Sequence, residues 1–532
     1  DRSASSALQD NFFGLYFHDD LKLSSRLTLN IGLRWEYESP VTERYNRFAA
    51  AFDNTSSNPI EAQAKANYAR SPIAELAAAN FRVLGGLTWV NQGGTGRSPF
   101  LSEKNAWMPR FGLAYQIDPK TILRGGYGLF YSVNGIYATV PIQTGFSQTT
   151  PIQASLDSGL TFVARTANPF PNGLLQPAGP GGGLKTNLGQ GISFHNPNRA
   201  RAYSQRWSLG VQRMLPGEFV VDVSYVASRT TRLSVNRDYN STPAQYLSKS
   251  PVRDQPTIDF LSASFASPFY GIDPIYGRNT SRGGLLRPFP QFGTITSNDP
   301  AGYSWYHSMQ MRTEKRFSHG FTLQLAYTFS KTMEAVEFLN ASDPMPYESL
   351  SALDRPHRLA GSGVWELPVG KGRRFASALP GALDAVLGGW QLGVVMTRQS
   401  GGPLGFGNVI FAGDIKNIPL AASRRDVDRW FNTDAGFNRT SSAQLASNLR
   451  GFPLRFSGVR GDDQRSWDFS IVKKFRLHGE RTTLQFRADV YNAWNQTNFA
   501  NPNTAPTNSA FGRITSTAGD ARNWQLGLKL AF

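Results

Sequence analysis

The chain has 532 residues, a formal net charge of +17 and a mean hydropathy of −0.35, with 40% hydrophobic residues and no cysteine. Disulfide scaffolds, thiolate metal sites and cysteine nucleophiles are therefore excluded. No apolar run is long enough for a transmembrane helix, but barrel strands alternate and average out as polar, so a membrane β-barrel stays open.

Alternating strands recur along the chain. The first pair is residues 11–23 and 26–38, joined by a tight Ser24-Ser25 turn; Leu27, Leu29, Ile31, Leu33, Trp35 and Tyr37 mark one face of the second strand. Residues 72–84 are expected to form a short helix, with Ser71 as N-cap and Pro72 at the first position. Strands 106–117 and 121–132 meet at Asp118-Pro119-Lys120, and strands 202–215 and 218–227 at Pro216-Gly217. Strands 303–317 and 321–332 meet at Ser318-His319-Gly320. A longer Gly/Arg/Pro segment links 358–367 to 389–400, and His478-Gly479-Glu480 links 464–477 to 481–493. The final strand, 521–532, places Trp524, Leu526, Leu528, Leu530 and Phe532 on one face.

The other ends of these strands are joined by long connections, roughly 39–105, 133–201, 228–302, 333–355, 401–463 and 494–520. Tight turns at one end and long loops at the other predict an all-β fold: a transmembrane antiparallel β-barrel with short periplasmic turns and long extracellular loops, in the outer membrane of a Gram-negative bacterium. Thirteen strands are counted, and bacterial single-chain barrels close with an even number. Counted back from the end, Asp1 then falls in an extracellular loop, so residues 1–532 are expected to be the C-terminal part of one larger barrel. Asp1-Arg2-Ser3-Ala4-Ser5-Ser6 has no apolar core segment, as in a mature or truncated chain.

Three stretches stand out in the strands and their turns: residues 27–37, LTLNIGLRWEY; residues 314–321, EKRFSHGF; and residues 326–331, AYTFSK. They resemble the C-terminal barrel region of TonB-dependent outer-membrane receptors, most closely the Oar-like group with a carboxypeptidase-regulatory-like domain. Asp354-Arg355-Pro356-His357-Arg358, Gly388-Gly389-Trp390-Gln391-Leu392, Asn492-Ala493-Trp494-Asn495 and the terminal strand continue the likeness over nearly the whole chain. The resemblance implies a barrel of about 22 strands, of which these are the last, filled by a plug. It also implies a TonB-type energy-coupling partner reached through an N-terminal part; neither plug nor Ton box is present in these residues. Uptake of a scarce or large extracellular substrate is the implied activity. The terminal strand, with Trp524, Leu526, Leu528, Leu530 and Phe532, looks like the signal read by the barrel-assembly machinery.

The motifs of covalent chemistry are missing. There is no G-x-S-x-G elbow, no Walker A pattern and no G-x-G-x-x-G between a strand and a helix, so no enzyme and no cofactor is expected. Gly179-Pro180-Gly181-Gly182-Gly183 reads as flexible loop. The six histidines, among them His18, His195, His307, His319 and His478, are dispersed, and Asp19-Asp20 and Asp462-Asp463 lack the graded spacing of a calcium loop; no metal site is expected. The basic residues are scattered, which fits outer-membrane lipid and lipopolysaccharide phosphates rather than nucleic acid.

With apolar residues facing lipid, their neighbours face the lumen: Arg34, Glu36, Arg124, Arg206, Asp222, Gln324, Asp468, Gln485, Arg487 and Asp489. An Arg or Lys at the lipid midplane costs about 2–4 kcal/mol, which enforces this assignment. These residues either contact substrate or fill the lumen by bonding the plug and one another. Trp35, Tyr37, Trp207, Trp365, Trp390, Trp467, Trp524 and Phe532 are placed as interfacial girdles, while Trp89, Tyr270, Tyr276 and Trp430 are the loop aromatics available for stacking on a carbohydrate. Rival readings are a passive or structural barrel (porin-like, adhesin or scaffold), TonB-linked export of protein or polymer, and a soluble all-β enzyme.

Overall fold

The computed structural model describes residues 2, 4–135, 139, 141–152, 154–155, 160–478 and 482–532. Thirteen antiparallel strands hydrogen-bond side by side in chain order. They are β1 (Phe12–Lys22), β2 (Leu27–Glu38), β3 (Ala106–Asp118), β4 (Thr121–Tyr131), β5 (Tyr203–Leu215), β6 (Phe219–Asp238), β7 (Ile295–Ser318), β8 (Phe321–Ala335), β9 (His357–Glu366), β10 (Trp390–Gln399), β11 (Gln464–His478), β12 (Thr482–Tyr491) and β13 (Asn523–Ala531). Each pairs with the next, and among the described residues β1 and β13 pair with nothing on their outer edges, so the sheet is open. Among the described residues, four α-helices, α1 (Glu61–Tyr68), α2 (Gln255–Ser262), α3 (Arg282–Leu285) and α4 (Gly381–Leu387), lie in the connections.

The register carries one apolar face across the sheet. Leu33 stands opposite Pro109, Phe111 opposite Tyr127, Leu209 opposite Tyr225, Met309 opposite Phe329, and Phe486 opposite Leu528. Leu15, Phe17, Leu526 and Leu528 are each about two-thirds exposed, far more apolar surface than a protein leaves to water. Aromatic rows bound this face. Trp35 stacks on Tyr37 and tilts against Trp107 at the loop end, and Trp390 meets Phe486 edge-on at the turn end. Trp524 and Phe532 are eight residues apart, about 27 Å along an extended strand and close to the height of a lipid-facing band.

The turns follow local chemistry. His319 and Gly320 both take positive φ, at 54° and 82°, as a two-residue hairpin turn of the twist-matching kind requires. Asp118 accepts the Lys120 N–H at 2.8 Å, closing the β3–β4 turn. Residues 479–481 of the β11–β12 turn lie outside the described residues, as does Asp1.

Buried apolar residues lie in the connections rather than under the sheet. One cluster joins Ile60, Tyr68, Phe81, Leu87 and Trp89 from residues 39–105 to Leu188 and Phe194, and to Leu261, Phe269, Leu285 and Phe292. A second joins Leu404, Phe406, Ile418, Trp430, Phe431, Phe437 and Phe452 to Phe511. The long loops are thus two folded caps.

Four expectations are corrected. The helix lies at Glu61–Tyr68, not 72–84, where only Ala78–Asn80 makes a 3-10 turn. Tyr68 explains this: its hydroxyl donates to the Leu76 carbonyl at 2.6 Å and accepts the Ile73 N–H at 3.2 Å, claiming backbone groups that the expected helix would use. The 218–227 and 303–317 strands run on to Asp238 and back to Ile295 as a two-stranded arm of 20 and 24 residues, well past the 9–11 or so that cross a bilayer. Residues 179–183 are ordered, within a 3-10 segment Gly179–Lys185 whose Leu184 packs on Gly86. Finally, Trp89 and Trp430 are core residues and Tyr276 is spent on the Gln291 carbonyl at 2.7 Å, leaving Tyr270 as the exposed member of the proposed stacking set.

Candidate functional site

The face opposite the apolar one is polar. Register places Arg34, Glu36, Arg124, Arg206, Asp222, Gln324, Asp468, Gln485, Arg487 and Asp489 on it together, each flanked along its strand by residues of the apolar face. They form several separate groups. Arg34 Nε reaches Glu36 at 2.6 Å, and the other Glu36 oxygen accepts from Arg201 at 2.9 Å. Arg201, only 3% exposed, also lies 3.7 Å from Glu38. It enters from the end of the 133–201 connection, and no sequence pattern marks it. The guanidiniums of Arg206 and Arg110 each lie over the Phe130 ring, 5.3 and 4.8 Å from its centroid.

Arg124 and Asp222 share a recess of about 310 Å³ with Gln212, Gln310, Arg312 and Glu314. Arg312 pairs with Glu314 at 2.9 Å, and Gln324 is the register partner of Glu314. Asp468 accepts from Ser466 at 3.1 Å and from the Asn492 N–H at 2.9 Å. Arg487 and Asp489 pair at 2.7 Å, and Gln485 stands between Lys474 and Lys529. The second acidic doublet is likewise occupied by the protein: Asp462 accepts the Phe499 N–H at 3.1 Å and Asp463 pairs with Arg398 at 3.0 Å.

The larger cavity, about 510 Å³, lies on the loop side, where three connections distant in sequence meet. Ser241, Thr242, Ser262, Ser281, Ser342 and Ser447 offer hydroxyls, Asn340 and Asn448 amides, and Arg287 a guanidinium, over a floor of Leu247, Ile258 and Leu261. Among the described residues, Arg287 Nε is buried without a hydrogen-bond partner. The arm of β6 and β7 carries this rim outward. Its close approach depends on Gly302, where a Cβ would lie 2.8 Å from a Val235 methyl and 2.9 Å from the Leu233 carbonyl oxygen. None of the cavity residues was singled out in the sequence.

Beneath the first cap, His195 is held between Phe48 and Phe100, with ring centroids 5.3 and 4.9 Å away. Its Nε2 accepts the Ile142 N–H at 3.0 Å, so the ring is neutral. Burial pushes its pKa down to about 4, and the Arg199 guanidinium acts in the same direction.

Among solved structures, the chain is similar to the ferripyoverdine receptor of the outer membrane of Pseudomonas aeruginosa, at 11% identity and a TM-score of 0.41, over 98% of this chain and 39% of that one. It is similar to the outer membrane transporter YddB from Escherichia coli, at 10% identity and a TM-score of 0.42, over 99% and 54% of the two chains. A third is the ferric-catecholate import receptor Fiu from E. coli, at 9% identity and a TM-score of 0.41, over 98% and 44%. The chain thus spans about half the length of these proteins or less. No curated protein matches it. The model of the outer membrane beta barrel domain family matches residues 2–525, and the chain belongs to that outer-membrane family.

Proposed function

We propose that residues 1–532 are the C-terminal part of a plugged TonB-dependent receptor of the Oar-like kind, which binds a substrate at its loop caps and admits it when the plug is pulled. The open sheet supports the first half. Lipid offers no partner for the backbone groups along β1 and β13, and further strands of a larger barrel would cover both edges. The loop-side cavity carries the second half: hydroxyls, amides and one arginine, with no carboxylate in its lining, suit a neutral or anionic polyhydroxylated ligand. No covalent step is involved; specificity lies in the cap contacts and release in a conformational change.

The full-length protein tests this in a planar bilayer. A plugged receptor stays nearly closed, whereas steady ohmic current identifies a passive pore and overturns the reading. The coding sequence upstream should add about nine more strands and a compact plug. For the cavity, Arg287→Ala and Ala341→Trp should each weaken glycan-array binding about tenfold or more, roughly 1.4 kcal/mol. Binding by both variants at the parent level would remove the cavity from the proposal.

A further inference from the structure

Unlike the tight turns before it, the turn-side connection between β9 and β10 runs for over twenty residues and contains α4. Leu383, Val386 and Leu387 are spaced three and four apart, so they share one helix face, and they are 51%, 60% and 50% exposed. The helix is fastened to the apolar side of the sheet. Lys473 and Trp390 are register partners on that face. Lys473 Nζ donates to the Val386 carbonyl at 3.1 Å and to the Gly388 carbonyl, and the Trp390 indole N–H donates to the Val386 carbonyl at 2.9 Å. The exposed leucines and valine therefore continue the lipid-facing band past its turn-side aromatic row. Asp384 is occupied within the connection, where it accepts the Lys371 N–H at 2.6 Å. Lys371, Arg373 and Arg374 are exposed beside the helix; Arg373 pairs with Glu366 at 3.1 Å, and Arg374 lies over Phe375.

We propose that residues 367–389 are a membrane-interface anchor, with α4 lying flat in the turn-side leaflet. Leu383, Val386 and Leu387 sit among acyl chains, and Lys371, Arg373 and Arg374 meet the phosphates of anionic phospholipid. Two features select lipid over a protein partner. The apolar residues are continuous with a surface that already faces lipid, and exposed basic residues lie in the same connection as that apolar helix face, the pairing found in interfacial helices.

Residues 1–532 contain no cysteine, so a single label can be placed in them once any cysteine elsewhere in the full-length protein has been replaced by serine. Full-length protein carrying Val386→Cys or, as a water-exposed reference on the second cap, Ser441→Cys is labelled with bimane. It is then reconstituted in vesicles of phosphatidylethanolamine and phosphatidylglycerol, with heat-modifiable migration confirming folded barrel. Shallow spin-labelled lipid should quench the Val386 label at least about twofold more than the Ser441 label, and iodide should quench it less than half as well. Equal iodide quenching at both sites, without lipid quenching at Val386, puts α4 in water and overturns the anchor. Exchanging phosphatidylglycerol for phosphatidylcholine should raise iodide access at Val386, and the combined Lys371→Gln, Arg373→Gln and Arg374→Gln variant should abolish that difference. No lipid dependence in the parent protein overturns the headgroup assignment.

Discussion

Asp354 and Arg460 meet at 2.6 Å across 106 residues of chain, and the pair ties β8 to the second cap. The Asp354 carboxylate, almost wholly buried, also accepts the Thr332 N–H at 2.7 Å. Arg460 donates in turn to the Gly401 carbonyl at 3.3 Å. Removing one member leaves a buried charge alone, which costs about 3–5 kcal/mol. Asp354→Ala should therefore open residues 401–463 to limited proteolysis while the membrane band stays intact. Asp354→Ala with Arg460→Met should be cut more slowly than the single variant; equal cutting of parent and single variant would sink the idea.

His195 predicts acid loosening of the first cap. Its folded pKa, about 4, lies below its ordinary 6.5. Above pH 6.5 both states are neutral and the contribution is fully present. As pH falls from there towards 4, the unfolded cap gains a proton that the folded cap refuses, and about 3 kcal/mol is lost. Protease resistance of the cap should fall between about pH 7 and pH 5 in the parent and change much less in His195→Gln. An unaltered pH profile in the variant would assign the effect to other groups.

Tyr68→Phe should loosen residues 72–77 specifically. It deletes the acceptor of the Ile73 N–H and the donor to the Leu76 carbonyl at a site where Tyr68 is 2% exposed. Two buried backbone groups are left unpaired, at a cost of about 1–3 kcal/mol. Hydrogen exchange at Ile73 should accelerate accordingly; unchanged protection there would contradict the role given to the hydroxyl.

Deleting Phe532, which is 96% exposed at the end of the apolar face of β13, should lower the amount of assembled barrel without altering ligand binding by the molecules that do assemble. Normal levels of heat-modifiable barrel in the deletion would refute a recognition role for this residue.

The thirteen strands were legible because a period of two survives wherever one face meets an apolar medium. It fails beyond Ala227, where Ser228, Arg229, Thr230, Thr231 and Arg232 are polar on both sides, and there β6 was placed too short. The arm persists because β7 pairs with it through a bulge near Arg232, a tertiary partnership with no local signature. The polar face was legible for the same reason as the strands. Its wiring was not, since Arg201 reaches Glu36 from 165 residues away. The loop-side cavity was hidden altogether, because serines and asparagines in loops are ordinary until three connections converge. The stacking role expected of Trp89 and Trp430 failed because the caps fold around hydrophobic centres of their own.

Those centres divide the thermodynamics of the chain. A cap that buries Phe48, Phe81 or Phe431 on ordering removes apolar surface from water and must carry a large heat-capacity change. The band exchanges one hydrocarbon contact for another and carries little. Calorimetry in lipid should therefore resolve a curved, cold-sensitive transition of the caps beneath a nearly temperature-independent band, so that chilling slackens the loop end first.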